Sequence, residues 1–114
     1  MIYHITSRVA WSEALKSGVY TADSLKSEVF IHCSKQDQVL RVANDWYKGQ
    51  HGLVLLKIDP ARLVPKIRWE PGSDKPDELF PHLYGALNLE AVVEILDFEP
   101  SREGVFSLPH SLIH

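Results

Sequence analysis

Six histidines in a chain of 114 residues are its first chemical feature: His4, His32, His51, His82, His110 and His114. Three of them lie in apolar runs rich in aromatic or hydroxyl residues: Tyr3-His4-Ile5-Thr6, Phe30-Ile31-His32-Cys33-Ser34 and Phe80-Pro81-His82-Leu83-Tyr84-Gly85. An imidazole donates, accepts or exchanges a proton near neutral pH, so a strand histidine facing a cleft can orient a ligand or act as a base. His4 fits two readings, a ligand contact in a cleft or a half-buried ring satisfied by a backbone carbonyl. His32 ends a strand where a helix begins, a junction that offers free N–H groups to an anion or a sugar hydroxyl. His82 belongs either to a plain Pro-entered strand or to the wall of a site for a planar ring. His110 and His114 fall in a tail and are expected in solvent.

Glu70 follows Trp69 and precedes a segment with Pro71, Gly72, Ser73, Asp74 and Pro76. A carboxylate at a strand end beside an indole can serve as acid, base or hydroxyl-orienting group, or be simply solvated. Trp69 is expected to anchor the strand end, and residues 71–79 to form a mobile flap over the cleft. Cys33 reads as a small buried hydrophobe rather than a nucleophile, and Ser34 as a helix N-cap. His4, His32, His82 and Glu70 could together hold zinc or iron, but no short ligand spacing is present, so a metal is not expected.

These residues need a scaffold, and the composition allows one domain. Lys plus Arg is 12 against 15 for Asp plus Glu, a net charge of −3, which argues against non-specific affinity for nucleic acid or an anionic membrane. One cysteine permits no internal disulfide. The longest apolar run, Leu53 to Leu56, is far short of the ~20 residues of a membrane span, so a soluble cytoplasmic protein is expected.

Alternation predicts a strand over residues 1–6. A helix is predicted over Ala10 to Ser17, capped by Gly18, and a turn or short helical turn over 21–25. A buried strand is expected at 29–33. Val39, Leu40, Val42, Ala43, Trp46 and Tyr47 form one apolar stripe of a helix that opens at Ser34 and ends at Gly49. Further strands are expected at 53–58, 63–69, 82–84 and 91–98, with a loop over 70–80 and a tail from Glu99 to the last residue. Strands that follow the helices argue for an α+β domain over 1–98. The glycines are isolated, so neither Gly-rich nucleotide loop is present.

The runs Ile2-Tyr3-His4-Ile5, Trp11 with Ala14, Gly18-Val19-Tyr20, Phe30 to Ser34, Gln38, Ala43-Asn44, Leu53 to Asp59, Trp69-Glu70 and Phe80 to Gly85 are more specific together than singly. Over residues 2 to about 98 the sequence resembles a small bacterial family, domain-of-unknown-function family 952. That family is similar, more distantly, to the ADP-ribosyltransferase superfamily. The resemblance implies a split antiparallel sheet with two main helices and a cleft that holds NAD. In the rifamycin-modifying and DNA-modifying transferases the first strand reads Tyr-His-x-Thr, and its histidine grips a ribose; here it stands as Tyr3-His4-Ile5-Thr6. A second strand ends aromatic-x-hydroxyl, the aromatic stacking on nicotinamide; here it reads His32-Cys33-Ser34, with His for the usual Tyr. The family's later acid falls on Glu70, with Asp74, Asp77 and Glu78 as rivals.

The resemblance thus implies Glu70 and His4 as catalytic residues, and His4, Thr6, His32, Ser34, His82 and Tyr84 as NAD-binding. Breaking the nicotinamide–ribose bond passes through an oxocarbenium-like state, which needs fixed hydroxyls, a ring surface and a nearby carboxylate. No arginine lies in these motifs to pair with a pyrophosphate, Arg8 and Arg41 being the nearest. The expected function is binding of NAD or a related nucleotide, with cleavage of that bond and the acceptor open. The alternatives are an inert ligand- or partner-binding module and a His-rich metallohydrolase.

Overall fold

The computed structural model describes residues 1–72 and 74–112. Ser73 of the expected loop and His114 of the expected tail lie outside the described residues. Strand β1 (Ile2–Ser7) alternates as the sequence requires: Ile2, His4 and Thr6 face one side, Tyr3 and Ile5 the other. Both sides are covered, so five of its six residues are buried. Strand β4 (Leu53–Ile58) pairs with it antiparallel, Ile2 opposite Ile58 and Thr6 opposite Val54. Its run of four apolar residues reflects a central strand, since β8 (Val92–Phe98) closes its other edge.

Between β1 and β4 lie the two main helices. Helix α1 (Arg8–Ser17) starts two residues earlier than the apolar spacing predicts, because the Ser7 hydroxyl caps it by accepting the Ala10 N–H at 3.0 Å. It ends at Gly18, whose φ of 89° is the left-handed cap expected there. The short strand β2 (Val19–Tyr20) and helix α2 (Asp23–Ser27) follow. Strand β3 is only Ile31–His32, shorter than the predicted 29–33. Val29 leaves the extended region with φ of 72°, unusual for a β-branched residue, and the strand begins only after that turn.

Helix α3 (Gln36–Trp46) begins after Lys35, not after Ser34. The Gln38 side chain accepts the Lys35 N–H at 2.9 Å, while Ser34 exchanges both backbone hydrogen bonds with Tyr3, each at 2.8 Å. That bridge joins the β1-β4-β8 sheet to a second antiparallel sheet ordered β3-β6-β5, in which β5 is Lys66–Pro71 and β6 is Leu79–Tyr84. A ribbon of β2 with β7 (Leu87–Asn88) completes an α+β architecture of antiparallel sheets and few helices.

Three expectations are corrected. β5 extends to Pro71, so Glu70 lies within a strand and not in the loop. Trp69 is 48% exposed and anchors nothing, because β5 is an edge strand and its Trp69 end projects beyond the core. The tail does not leave the domain at 98. Phe106 and Leu112 are buried in the core that holds Tyr3, Ile5, Val39, Leu55 and Phe98. Asn44 brackets the Phe106 backbone with two side-chain hydrogen bonds, of 2.7 and 3.3 Å. The other face carries a core of Ile2, Trp11, Tyr20, Ile31, Cys33, Leu56 and Leu83. No described helix is long and apolar enough to cross a membrane.

Candidate functional site

The β3-β6-β5 sheet sorts its side chains by parity. His32 is opposite His82, Arg68 opposite His82, and Glu70 opposite Phe80, and opposed residues share a face. Ile31, Leu83 and Ile67 fill the core, which puts His32, His82, Tyr84, Arg68 and Glu70 on the other side. There a cleft of about 480 Å³ opens between the sheet (His32, Ser34, Phe80, His82) and helix α3 (Val42, Trp46, Tyr47). Glu28, Cys33, Gly72 and Asp74 complete its lining.

Bonded to His82 but outside the lining, Glu70 holds two partners on one oxygen. Oε1 accepts from His82 Nδ1 at 2.9 Å and from the Tyr84 hydroxyl at 2.6 Å. The Tyr84 bond first, then the His82 bond, holds the Glu70 carboxyl below its ordinary range, and the same contact raises the Tyr84 phenol. With Nδ1 donating, the neutral His82 ring has its acceptor at Nε2. That nitrogen has no hydrogen bond among the described residues. No buried side-chain N or O among them lacks a partner, so Nε2 opens to the cleft although His82 is 4% exposed overall. Phe30 clamps the ring by stacking at 4.0 Å and 15°. Arg68 lies over the Tyr84 ring at 5.1 Å from its centroid.

A second carboxylate–histidine pair stands across the cleft floor. Glu28 Oε2 is 2.7 Å from His32 Nε2, and the His32 ring is edge-on to Phe30 and to His82, at 4.8 and 5.3 Å. The positive φ of Val29 is the turn between Glu28 and Phe30.

His4 and Thr6 do not line this cleft. His4 is 7% exposed with both nitrogens engaged: Nδ1 donates to the His32 carbonyl at 2.5 Å, and Nε2 lies 2.8 Å from the Tyr20 hydroxyl. A ring that donates at Nδ1 must accept at Nε2, so Tyr20 gives it its one proton and Thr6, 2.8 Å from the Tyr20 oxygen, donates in turn. Burial drives the His4 pKa down to about 4 and the Tyr20 phenol up to about 12. The ribose contact that the resemblance gives His4 requires exchange of one of these bonds for ligand.

Of the expected site residues, His32, Ser34 and His82 line the cleft. Glu70 and Tyr84 reach it through His82, and His4 and Thr6 sit beneath it. Asp74 also lines it, Asp77 is exposed, and Glu78 is tied to α3 by Arg41 and by Gln38 at 2.9 Å. The expected flap is therefore held to the helix at its far end. Arg8 pairs with Asp97 at 2.5 Å and Arg41 with Glu78, so neither is held free for a phosphate. Cys33 is 3% exposed, and burial raises its thiol, as expected of a packing residue. Among the described residues no three His, Cys, Asp or Glu groups converge to hold a metal.

Sequence reasoning missed Phe30, Glu28 and Trp46. Parity from His32 could have found Phe30. Trp46 was counted into the core stripe of α3, yet it is 62% exposed at the cleft mouth.

Fold and cleft define a small α+β domain with an open cleft lined by aromatic and imidazole rings. The chain belongs to the family described as protein of unknown function (DUF952), which matches residues 5–95. It is similar to the crystal structure of protein CC0527 from Caulobacter crescentus, with 32% identity, 94% of this chain and 93% of that chain covered, and a TM-score of 0.84. The solution structure of the same protein is similar at 32% identity and a TM-score of 0.78, covering 91% and 89%. No curated protein matches the chain.

Proposed function

We propose that the cleft binds the nicotinamide–ribose end of NAD and cleaves the bond between them. One observation carries this reading: the cleft gathers planar rings, His82 (itself stacked on Phe30) and Phe80 on the sheet with Trp46 on the facing helix, and its lining bears only acidic charge. Glu28 and Asp74 are in the lining, and no Lys or Arg is among the described lining residues. Such a site favours a flat cationic ring over a phosphate. The nicotinamide of NAD is such a ring, and the ribose left on its departure is cationic as well. The ADP half, with its pyrophosphate, then lies outside the acidic lining. The similarity of β1 and of the run that ends β3, His32-Cys33-Ser34, to the ADP-ribosyltransferase motifs supports the same ligand. NAD serves as substrate, with no metal and no nucleic-acid partner, and its consumption fits a cytoplasmic protein with one unpaired thiol.

The test is a titration of the protein with NAD, followed by amide chemical shifts and Trp46 fluorescence. Shifts confined to residues 28–34, 46–47 and 80–84, with release of nicotinamide, are expected. An unchanged spectrum at millimolar NAD removes the ligand. Binding without release leaves an inert nucleotide-binding module.

A further inference from the structure

We propose that the acceptor of this reaction is water, activated by His82, so that the domain is an NAD glycohydrolase rather than a transferase; this rests on the nicotinamide–ribose reading above. Four observations lead there. Glu70, the carboxylate the resemblance expects to be catalytic, is not among the residues lining the cleft, and its Oε1 accepts from both His82 and Tyr84 and so orients them. His82 Nε2 then faces the cleft as an open acceptor on a ring fixed by Glu70 on one side and Phe30 on another, the arrangement of an oriented general base. Ser34 lines the same cleft, 5% exposed and with its hydroxyl making no hydrogen bond among the described residues, so the cleft holds a second polar group that a water can engage. An acidic lining repels a nucleic-acid acceptor.

The chemistry balances without any further reagent. The C1′–N bond of NAD breaks, and its electron pair neutralises the nicotinamide nitrogen as it leaves. The water oxygen bonds to C1′ of the cationic ribose, and its proton passes to His82 Nε2. The imidazolium, held by the Glu70 carboxylate, then gives that proton to solvent. The products are nicotinamide, ADP-ribose and a proton.

The experiment incubates the full chain with NAD and separates the products, with and without methanol as a competing acceptor. Nicotinamide and free ADP-ribose should appear one for one, and methanol should divert part of the flux into methyl ADP-ribose. His82→Gln should lower kcat about 100-fold or more with KM within a few-fold, the range expected for loss of a positioned base. Added imidazole should restore part of the rate to His82→Ala, which a merely structural role would not allow. The product ratio and the methanol partition use the wild type alone and stand even if the variants fold poorly. Nicotinamide release with ADP-ribose found only on protein, NAD binding without cleavage, or a fully active His82→Gln each overturns the water mechanism and leaves the NAD site standing. Absence of NAD-induced shifts overturns the site itself, and the mechanism with it.

Discussion

His4 and His82 are both buried strand histidines, and they differ in how many of their nitrogens the protein uses. His4 gives Nδ1 to the His32 carbonyl and Nε2 to Tyr20, so its ring is closed within the fold. His82 gives only Nδ1, to Glu70, and presents Nε2 to the cleft. Burial alone does not distinguish the two rings; the count of nitrogens that the protein engages does. The first cluster holds β1, β2 and β3 together. The second keeps one proton acceptor in reserve at low exposure.

The largest effect that would sharpen this contrast is at Glu70. Glu70→Gln preserves shape and removes the charge that stabilises an imidazolium, so nicotinamide release should fall about 100-fold or more while NAD affinity stays within a few-fold. An active Glu70→Gln would show that His82 needs no carboxylate behind it, and would turn attention to Asp74 in the lining. Next comes His4→Ala, which leaves the Tyr20 hydroxyl and the His32 carbonyl without partners and opens a cavity. It should cost about 4 kcal/mol in urea unfolding, well above its effect on ligand binding. Weaker NAD binding at unchanged stability would break the comparison and return His4 to the ribose.

The His4 ring also sets a pH window. Its pKa is about 4 in the fold and 6.5 when unperturbed. As pH falls through 6.5 the unfolded chain therefore takes a proton that the native state refuses. Stability is full above pH 6.5 and should drop by about 3 kcal/mol on the way to pH 4. The lowered carboxyls of Glu70 and Glu78 contribute their own loss only below their ordinary value of 4.5, so the two windows separate. Urea unfolding of the wild type and of non-titrating His4→Asn, compared across pH 7 to 4, should show this slope in the wild type alone. The smallest effect is at Cys33, where Cys33→Ala should cost about 1 kcal/mol and spare binding. Rapid, ligand-blocked labelling of the thiol at neutral pH would make it an accessible, reactive group instead of a packing one.

Much of the scaffold was legible because burial writes period into sequence. The alternation of Ile2 to Thr6, the run Leu53 to Ile58 and the Gly18 cap each follow from one local rule. Val29 was not legible, since nothing in a β-branched apolar residue announces a left-handed turn. Ser34 looked like an N-cap by type, but its backbone was claimed by Tyr3, a partner 31 positions away. In the site, His82 and Tyr84 were found through their aromatic surroundings. Their tie to Glu70 depends on the β5-β6 register, which no single segment contains.

Asn44 offers its amide to Phe106 in the way a neighbouring strand would offer its backbone, and Phe106 and Leu112 fill the core under β1 and α3. That fixes an order of events during synthesis. The side of the sheet facing Ile5 and Leu55 stays open to water until residues 106–112 have left the ribosome and folded back. Until then the nascent chain carries a greasy, half-finished face of the kind that chaperones hold. Ribosome-bound chains stopped before residue 106 should resist protease far less than chains released after 112.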